Sequence, residues 1–221
     1  MKLFRKDQLQ EMANILKDGG LVAFPTETVF GFGVVFDNES SYKRLIEVKR
    51  RPPEKPFTMM LSQVDDIEKY AELDEKSRLL IENFMPGQFT LIVKAKKNLP
   101  FYSISKDGFV GLRIPDEDTV RSMIDMVGKP LLVPSANRSG DKPLTNSDDV
   151  VKEFADEVDA VLEGQSTSNV PSTIVKVSSS IEIIREGLIS KEQIDKIING
   201  GKKLWPLLLH QIMPDLIEKK K

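Results

Sequence analysis

The chain has 221 residues, 40% hydrophobic and 30% charged, which is enough to bury one substantial core and points to one domain. Its 32 basic and 34 acidic residues leave a net charge of -2, so no global positive field exists for non-specific nucleic-acid binding and any basic site must be local. The absence of cysteine excludes disulfides, thiolate nucleophiles and zinc-thiolate sites, and the single His210 leaves little room for histidine-based triads.

From the amino terminus, Leu9, Met12, Ala13 and Leu16 fall at helical spacing with Gly19-Gly20 as the stop, and "LVAFP" follows as a short buried strand. "TETVFGFG" reads as a glycine turn. A second helix is expected from about Ser40 or Ser41, ended by Pro52-Pro53, and "FTMML" is a strand. Ser62 with Asp65 offers a capping-box-like start to a helix over "SQVDDIEKYA". Next come a helix around Glu75 to Phe84, the breaker "MPGQ", the strands "FTLIVKA" and "FVGLRIP", and a helical "DEDTVRSMIDMVG". "PLLV" is a buried strand emptying into the polar loop "PSANRSGDKPLT", after which Ser147 is expected to cap "DDVVKEFADEV". "AVLEG", "STIVKV" and "IEIIREG" read as strands and Ser190 to Ile198 as a closing helix. This alternation, with connections from hairpin-short to helix-long, predicts an α/β chain built on a twisted mixed sheet covered by helices. The domain spans 1–200. Residues 201–221, with the only Trp and the only His, form an appendage to which no chemistry is assigned. No signal-peptide pattern and no run of roughly 18 apolar residues occurs, so a soluble, cytoplasmic protein without membrane association is expected.

Three segments could carry chemistry. Gly31 and Gly33 after Thr26, Glu27 and Thr28 either form a tight turn capped by its threonines or let backbone and hydroxyls approach a ligand. Lys49, Arg50 and Arg51, followed by Lys55, either complement the dipole at a helix carboxyl end or converge on an anion, lysine as a point charge and arginine as a fork. Ser135 and Asn137 stand just past a buried strand, where α/β proteins build ligand sites; with no histidine nearby, Ser135 reads as a binding group instead of a nucleophile. Glu27, inside the glycine turn, either salt-bridges within a site or sits at the surface.

In this order, "GGLVAFPTETVFGFG", "KRRPPEKPFTMML", "MPGQFTLIVKA", "GLRIP", "PSANRSG", "PSTIVKV" and "IIREG" resemble the YrdC-like family of threonylcarbamoyl-AMP synthases, over roughly Leu9 to Ile198. The resemblance implies a YrdC-like sheet with a concave ligand-binding surface, in the short form without the extra carboxyl-terminal domain of longer members. It implies a nucleotidyltransferase that makes threonylcarbamoyl-AMP and pyrophosphate from L-threonine, bicarbonate or CO2, and ATP accompanied by Mg2+, with no protein-held metal. The adenylate would pass to tRNA-modifying transferase machinery for threonylcarbamoyladenosine formation beside the anticodon. The family's K-x-R and S-x-N correspond to Lys49, Arg51, Ser135 and Asn137 as catalytic residues. Thr28, Arg113 and Ser172 match threonine-binding positions, and Arg51, Lys55, Ser135 and Arg185 match ATP-binding positions. Met59 and Met60 stand where many members have a histidine, and Phe30 where a tyrosine is common. A second reading is an RNA-binding paralogue on the same fold without synthase activity, tracking the phosphates of tRNA, rRNA or other double-stranded RNA with Lys49, Arg50, Arg51, Lys55 and Arg138, although no aromatic residues interleave with that cluster.

Overall fold

In the computed structural model the described residues are 1–52 and 54–200; Pro53 and the tail 201–221, expected as an appendage, lie outside them. Chain order is β1 (Lys2–Phe4), α1 (Leu9–Lys17), β2 (Val22–Phe24), β3 (Gly31–Val35), α2 (Glu39–Lys49), β4 (Met59–Met60), α3 (Glu75–Phe84) and β5 (Phe89–Lys94). It continues with β6 (Phe109–Arg113), α4 (Asp118–Val127), β7 (Leu131–Leu132), α5 (Ser147–Phe154), β8 (Ala160–Leu162), β9 (Thr173–Val177), β10 (Ile181–Arg185) and α6 (Lys191–Gly200). The strands form one sheet in the order β1-β8-β2-β3-β7-β4-β6-β5-β9-β10. Four parallel pairs (β1 with β8, β2 with β8, β4 with β6, β5 with β9) are combined with antiparallel ones, so the mixed sheet expected from the connection lengths is the observed one. Among the described residues no helix is long and apolar enough to cross a membrane.

Several local expectations change. The glycine segment is not a turn but the central strand β3, paired antiparallel with β2 so that Gly33 lies opposite Val22. A Cβ on Gly33 would sit 2.6 Å from the Phe24 ring, and one on Gly31 would sit 2.7 Å from Val133 Cγ1, so both glycines exist to let buried neighbours close over the strand. The helix α2 starts at Glu39, just ahead of the expected Ser40 or Ser41, and is capped by the Asn38 side chain, which accepts from the Ser41 backbone N–H. It ends before the prolines. Ser62 caps nothing: Val64–Lys69 is a short 3-10 segment entered through extended Gln63, whose side chain makes no cap bond. Asn146, not Ser147, caps α5 by accepting from the Asp149 N–H. β1 was not anticipated; it joins the sheet parallel to β8.

Period-two alternation in the strands sorts side chains onto two faces. One face meets α2, α3, α5 and α6 through Leu45, Phe84, Phe154 and Ile197 together with Phe89, Leu91 and Val93 of β5. The other face meets α1 and α4 through Met12, Leu16, Met123 and Ile124, but the strand residues in that cluster come only from β1, β2, β3, β4, β7, β8 and the segments at their ends. Among the described residues no helix covers that second face over β6, β5, β9 and β10. The uncovered half of the sheet is where a ligand can lie.

Candidate active site

The site begins at the carboxyl end of α2. Arg50 takes left-handed φ and ψ of 48° and 47°, the Arg50 N–H bonds to Glu47 O at 3.0 Å and the Arg51 N–H to Ile46 O at 3.2 Å, which closes the helix as a Schellman turn. That turn sends three consecutive cations in three directions. Lys49 goes inward, Arg50 is exposed, and Arg51 heads for the open face of the sheet.

Lys49 is 2% exposed, and its ammonium donates to Ser135 O at 2.6 Å, Asn137 O at 2.6 Å and Asn137 Oδ1 at 2.9 Å. Burial first, then repulsion from Arg51 and Arg138, lowers its pKa to about 7, against a smaller opposing pull from Asp141. Three acceptors call for three donated protons, so this geometry belongs to the ammonium form. The loop after β7 is tied down from its other side as well. Ser135 bridges to Gly31, the Ala136 N–H donates to Phe30 O at 2.7 Å, and the Ser139 N–H donates to Lys49 O at 2.8 Å. Ser135 Oγ donates to Asn137 Oδ1 at 2.6 Å, and Asn137 Nδ2 donates to Arg138 O and Asp141 O. Lys49 and Asn137 are thus the inner brace of a loop whose outer edge presents Ser135.

The open half of the sheet forms the floor of a cleft of about 470 Å³. Its wall gathers Thr28, Arg51, Lys55, Ser135, Ser172 and Arg185, with Arg113 rising from β6. Arg51 is steadied by Lys55 O (3.2 Å), and its guanidinium lies 5.0 Å from the Phe57 ring centroid. Arg113 is buried, donating from Nη2 to Glu27 Oε1 at 2.7 Å and to Thr28 Oγ1 at 3.0 Å. Thr28 Oγ1 in turn lies 2.8 Å from Thr26 Oγ1. Ser172 Oγ sits 2.9 Å from Thr90 Oγ1, while Arg185 donates from Nε and Nη2 to Ser172 O and from Nη2 to Ser172 Oγ. Burial, and then the charge of Arg113, lower the Arg185 pKa.

Of the residues singled out from the sequence, the cleft brings together Thr28, Arg51, Lys55, Arg113, Ser135, Ser172 and Arg185, drawn from segments up to 157 positions apart by number (185 − 28). Lys49 and Asn137 are adjacent to the cleft but not on its wall. The alternative of a phosphate track fits poorly: Lys49 is buried, and Arg138 pairs with Glu157, donates to Val48 O and lies 4.4 Å from the Phe154 ring centroid. Sequence reasoning missed the far wall. There Phe109 is flanked by the ammonium of Lys176 (4.2 Å from the ring centroid), and Lys176 pairs with Asp107 at 2.6 Å. The alternation in "FVGLR" was the available signal, since it puts Phe109, Gly111 and Arg113 on one face.

A family model described as telomere recombination, covering Sua5, YciO and YrdC proteins, matches residues 14–187. The chain belongs to the Sua5/YciO/YrdC family. This member is 33% identical over 192 residues to a Methanocaldococcus jannaschii protein provisionally named threonylcarbamoyl-AMP synthase, covering 86% of this chain and 90% of that one. It is 31% identical over 195 residues to the threonylcarbamoyl-AMP synthase of Bacillus subtilis, covering 86% of this chain and 56% of that protein, so it spans little more than half of this longer relative. The crystal structure of Pyrococcus abyssi Sua5 complexed with L-threonine superposes with a TM-score of 0.83 at 28% identity, covering 89% of this chain and 60% of that one. Escherichia coli YciO, with a TM-score of 0.79 at 21% identity over 85% of this chain and 97% of that one, shares the fold.

Proposed function

We propose that this chain is a threonylcarbamoyl-AMP synthase acting on L-threonine, bicarbonate or CO2, and Mg-ATP. The observation that carries this reading is the single open-sheet cleft in which a phosphate-suited pair, Arg51 and Lys55, shares a wall with a carboxylate-suited group, Arg113, Thr28 and Ser172. The relatives named above as threonylcarbamoyl-AMP synthases, and the threonine bound in the Pyrococcus structure, support it.

In the proposed reaction the threonine amine adds to CO2 and loses a proton, giving a carbamate. A carbamate oxygen then attacks the α-phosphorus, the bond to the α,β-bridging oxygen breaks, and pyrophosphate leaves with the electron pair. Negative charge builds on the non-bridging oxygens, so preorganised cations and donors stabilise the transition state. Arg51 and Lys55 hold the triphosphate, Ser135 orients it, Arg185 contacts the nucleotide, and Arg113 grips the amino-acid carboxylate. The hydroxyls of Thr28 and Ser172 face the threonine side chain. Lys49 and Asn137 act through the loop they brace. Mg2+ enters with the nucleotide as part of the substrate, and the adenylate passes to a tRNA-modifying transferase.

Incubation with ATP, L-threonine and bicarbonate, following pyrophosphate and the adenylate by mass spectrometry, tests the reading. Pyrophosphate release should require all three substrates. Release that is absent, or indifferent to threonine, overturns it.

A further inference from the structure

Glu27 is a buried carboxylate that the reaction above leaves without a task. Its backbone carbonyl accepts from Thr167 Oγ1 at 3.1 Å and from Gln88 Nε2 at 3.4 Å, so two distant segments fix the residue beside β6. One carboxylate oxygen accepts from Arg113 Nη2 at 2.7 Å, while the other, Oε2, is buried with no hydrogen-bond partner among the described residues. Arg113 Nε is likewise buried without an acceptor among those residues. The guanidinium is therefore anchored through a single nitrogen, with its Nε edge uncommitted. Both side chains are about nine-tenths buried, at 8% and 10% exposure, so their charges act on each other and on any ligand with little solvent screening.

Charge counting gives this pair a second consequence. Arg113 and Arg185 line the same cleft, bonded to the hydroxyls of Thr28 and Ser172 respectively, and together they carry +2. Glu27 brings the group to +1. A monoanionic carboxylate matches that sum, whereas a phosphate dianion would match the group without Glu27. A cleft that takes a triphosphate along one part of its wall needs such a distinction at its amino-acid end. We infer that Glu27 is a positioning and specificity residue: its carboxylate fixes Arg113 for a substrate carboxylate and, by cancelling one of two guanidinium charges, keeps phosphate out of that end. This rests on the amino-acid assignment proposed above.

The test is isothermal titration of L-threonine and, separately, of inorganic phosphate into the full chain and its Glu27→Gln and Glu27→Asp variants. Glu27→Gln should bind threonine about tenfold more weakly, the loss of roughly one charge-assisted contact, and should bind phosphate about tenfold more tightly, so that phosphate now competes with threonine. Adding Arg113→Ala to Glu27→Gln should abolish the gained phosphate affinity. Glu27→Asp keeps the charge but shortens the reach, so it should lose threonine affinity while excluding phosphate as the parent does; it also serves should the glutamine variant fail to fold. Unchanged phosphate affinity in a folded Glu27→Gln protein overturns the charge-matching role, and unchanged threonine affinity overturns the positioning role. If the parent chain binds no threonine, the amino-acid assignment fails, and the phosphate titrations still decide the charge-matching role on their own.

Discussion

Replacing Lys49 by methionine removes the ammonium while keeping an unbranched side chain of similar length. Ser135 O and Asn137 O lose donors at 2.6 Å, whereas Asn137 Oδ1 retains Ser135 Oγ. Leaving one buried and one part-buried carbonyl unpaired costs at most about 1–3 kcal/mol each, and relief from burying a cation offsets part of it, so the net loss should be about 1–4 kcal/mol. Urea denaturation measures this directly, and amide exchange at Ser139, whose N–H donates to Lys49 O, reports on the loop. We expect lower stability, faster Ser139 exchange and weaker ATP binding together. Arg51→Met should weaken ATP binding with far less effect on either structural readout. The pH dependence carries a sign: the folded pKa of about 7 lies below the ordinary lysine value of 10.5, so the folded state binds fewer protons between them. The cost of burying the ammonium is thus fully present below pH 7 and is relieved as pH rises from about 7 to 10.5, an increment that Lys49→Met should erase. A Lys49→Met protein that loses ATP binding with unchanged stability and unchanged Ser139 exchange would show that the ammonium touches phosphate directly and would refute the brace.

Arg50→Gly should raise stability by about 1 kcal/mol in thermal or urea unfolding, because Arg50 is exposed and holds φ of 48°, which costs a residue with a Cβ but not glycine. Gly33→Ala should destabilise by about 1–3 kcal/mol through overpacking against Phe24, while Gly111→Ala, whose Cβ would meet Ile92 at 3.6 Å and Thr58 at 3.8 Å, should fold normally and slow pyrophosphate release by narrowing the cleft. In a substrate comparison, valine should be rejected more strongly than serine, because valine leaves the Thr28 and Ser172 hydroxyls without the threonine hydroxyl whereas serine loses only a methyl, worth roughly 1 kcal/mol. Equal yields from valine and threonine would remove these hydroxyls from the substrate site.

Local periodicity was enough for most elements. The apolar spacing of Leu9, Met12, Ala13 and Leu16 gave α1, and the run from Glu75 to Phe84 matched α3, because burying one helical face is decided by the sequence of that helix alone. The ordered motifs carried the family, and through it the residues that meet in the cleft. Tertiary structure alone decided the rest. "GFG" reads as a turn because glycine is permissive, yet it is strand β3, since Phe24 and Val133 close over positions that admit no Cβ. "KRR" reads as one cationic cluster, yet a left-handed Arg50 divides it into a brace, an exposed residue and a cleft wall. Glu27 reads equally as a site or a surface residue. Only the sheet, by setting β6 beside the turn after β2, places Arg113 against it, and a pairing across 86 positions leaves no periodic trace in the chain.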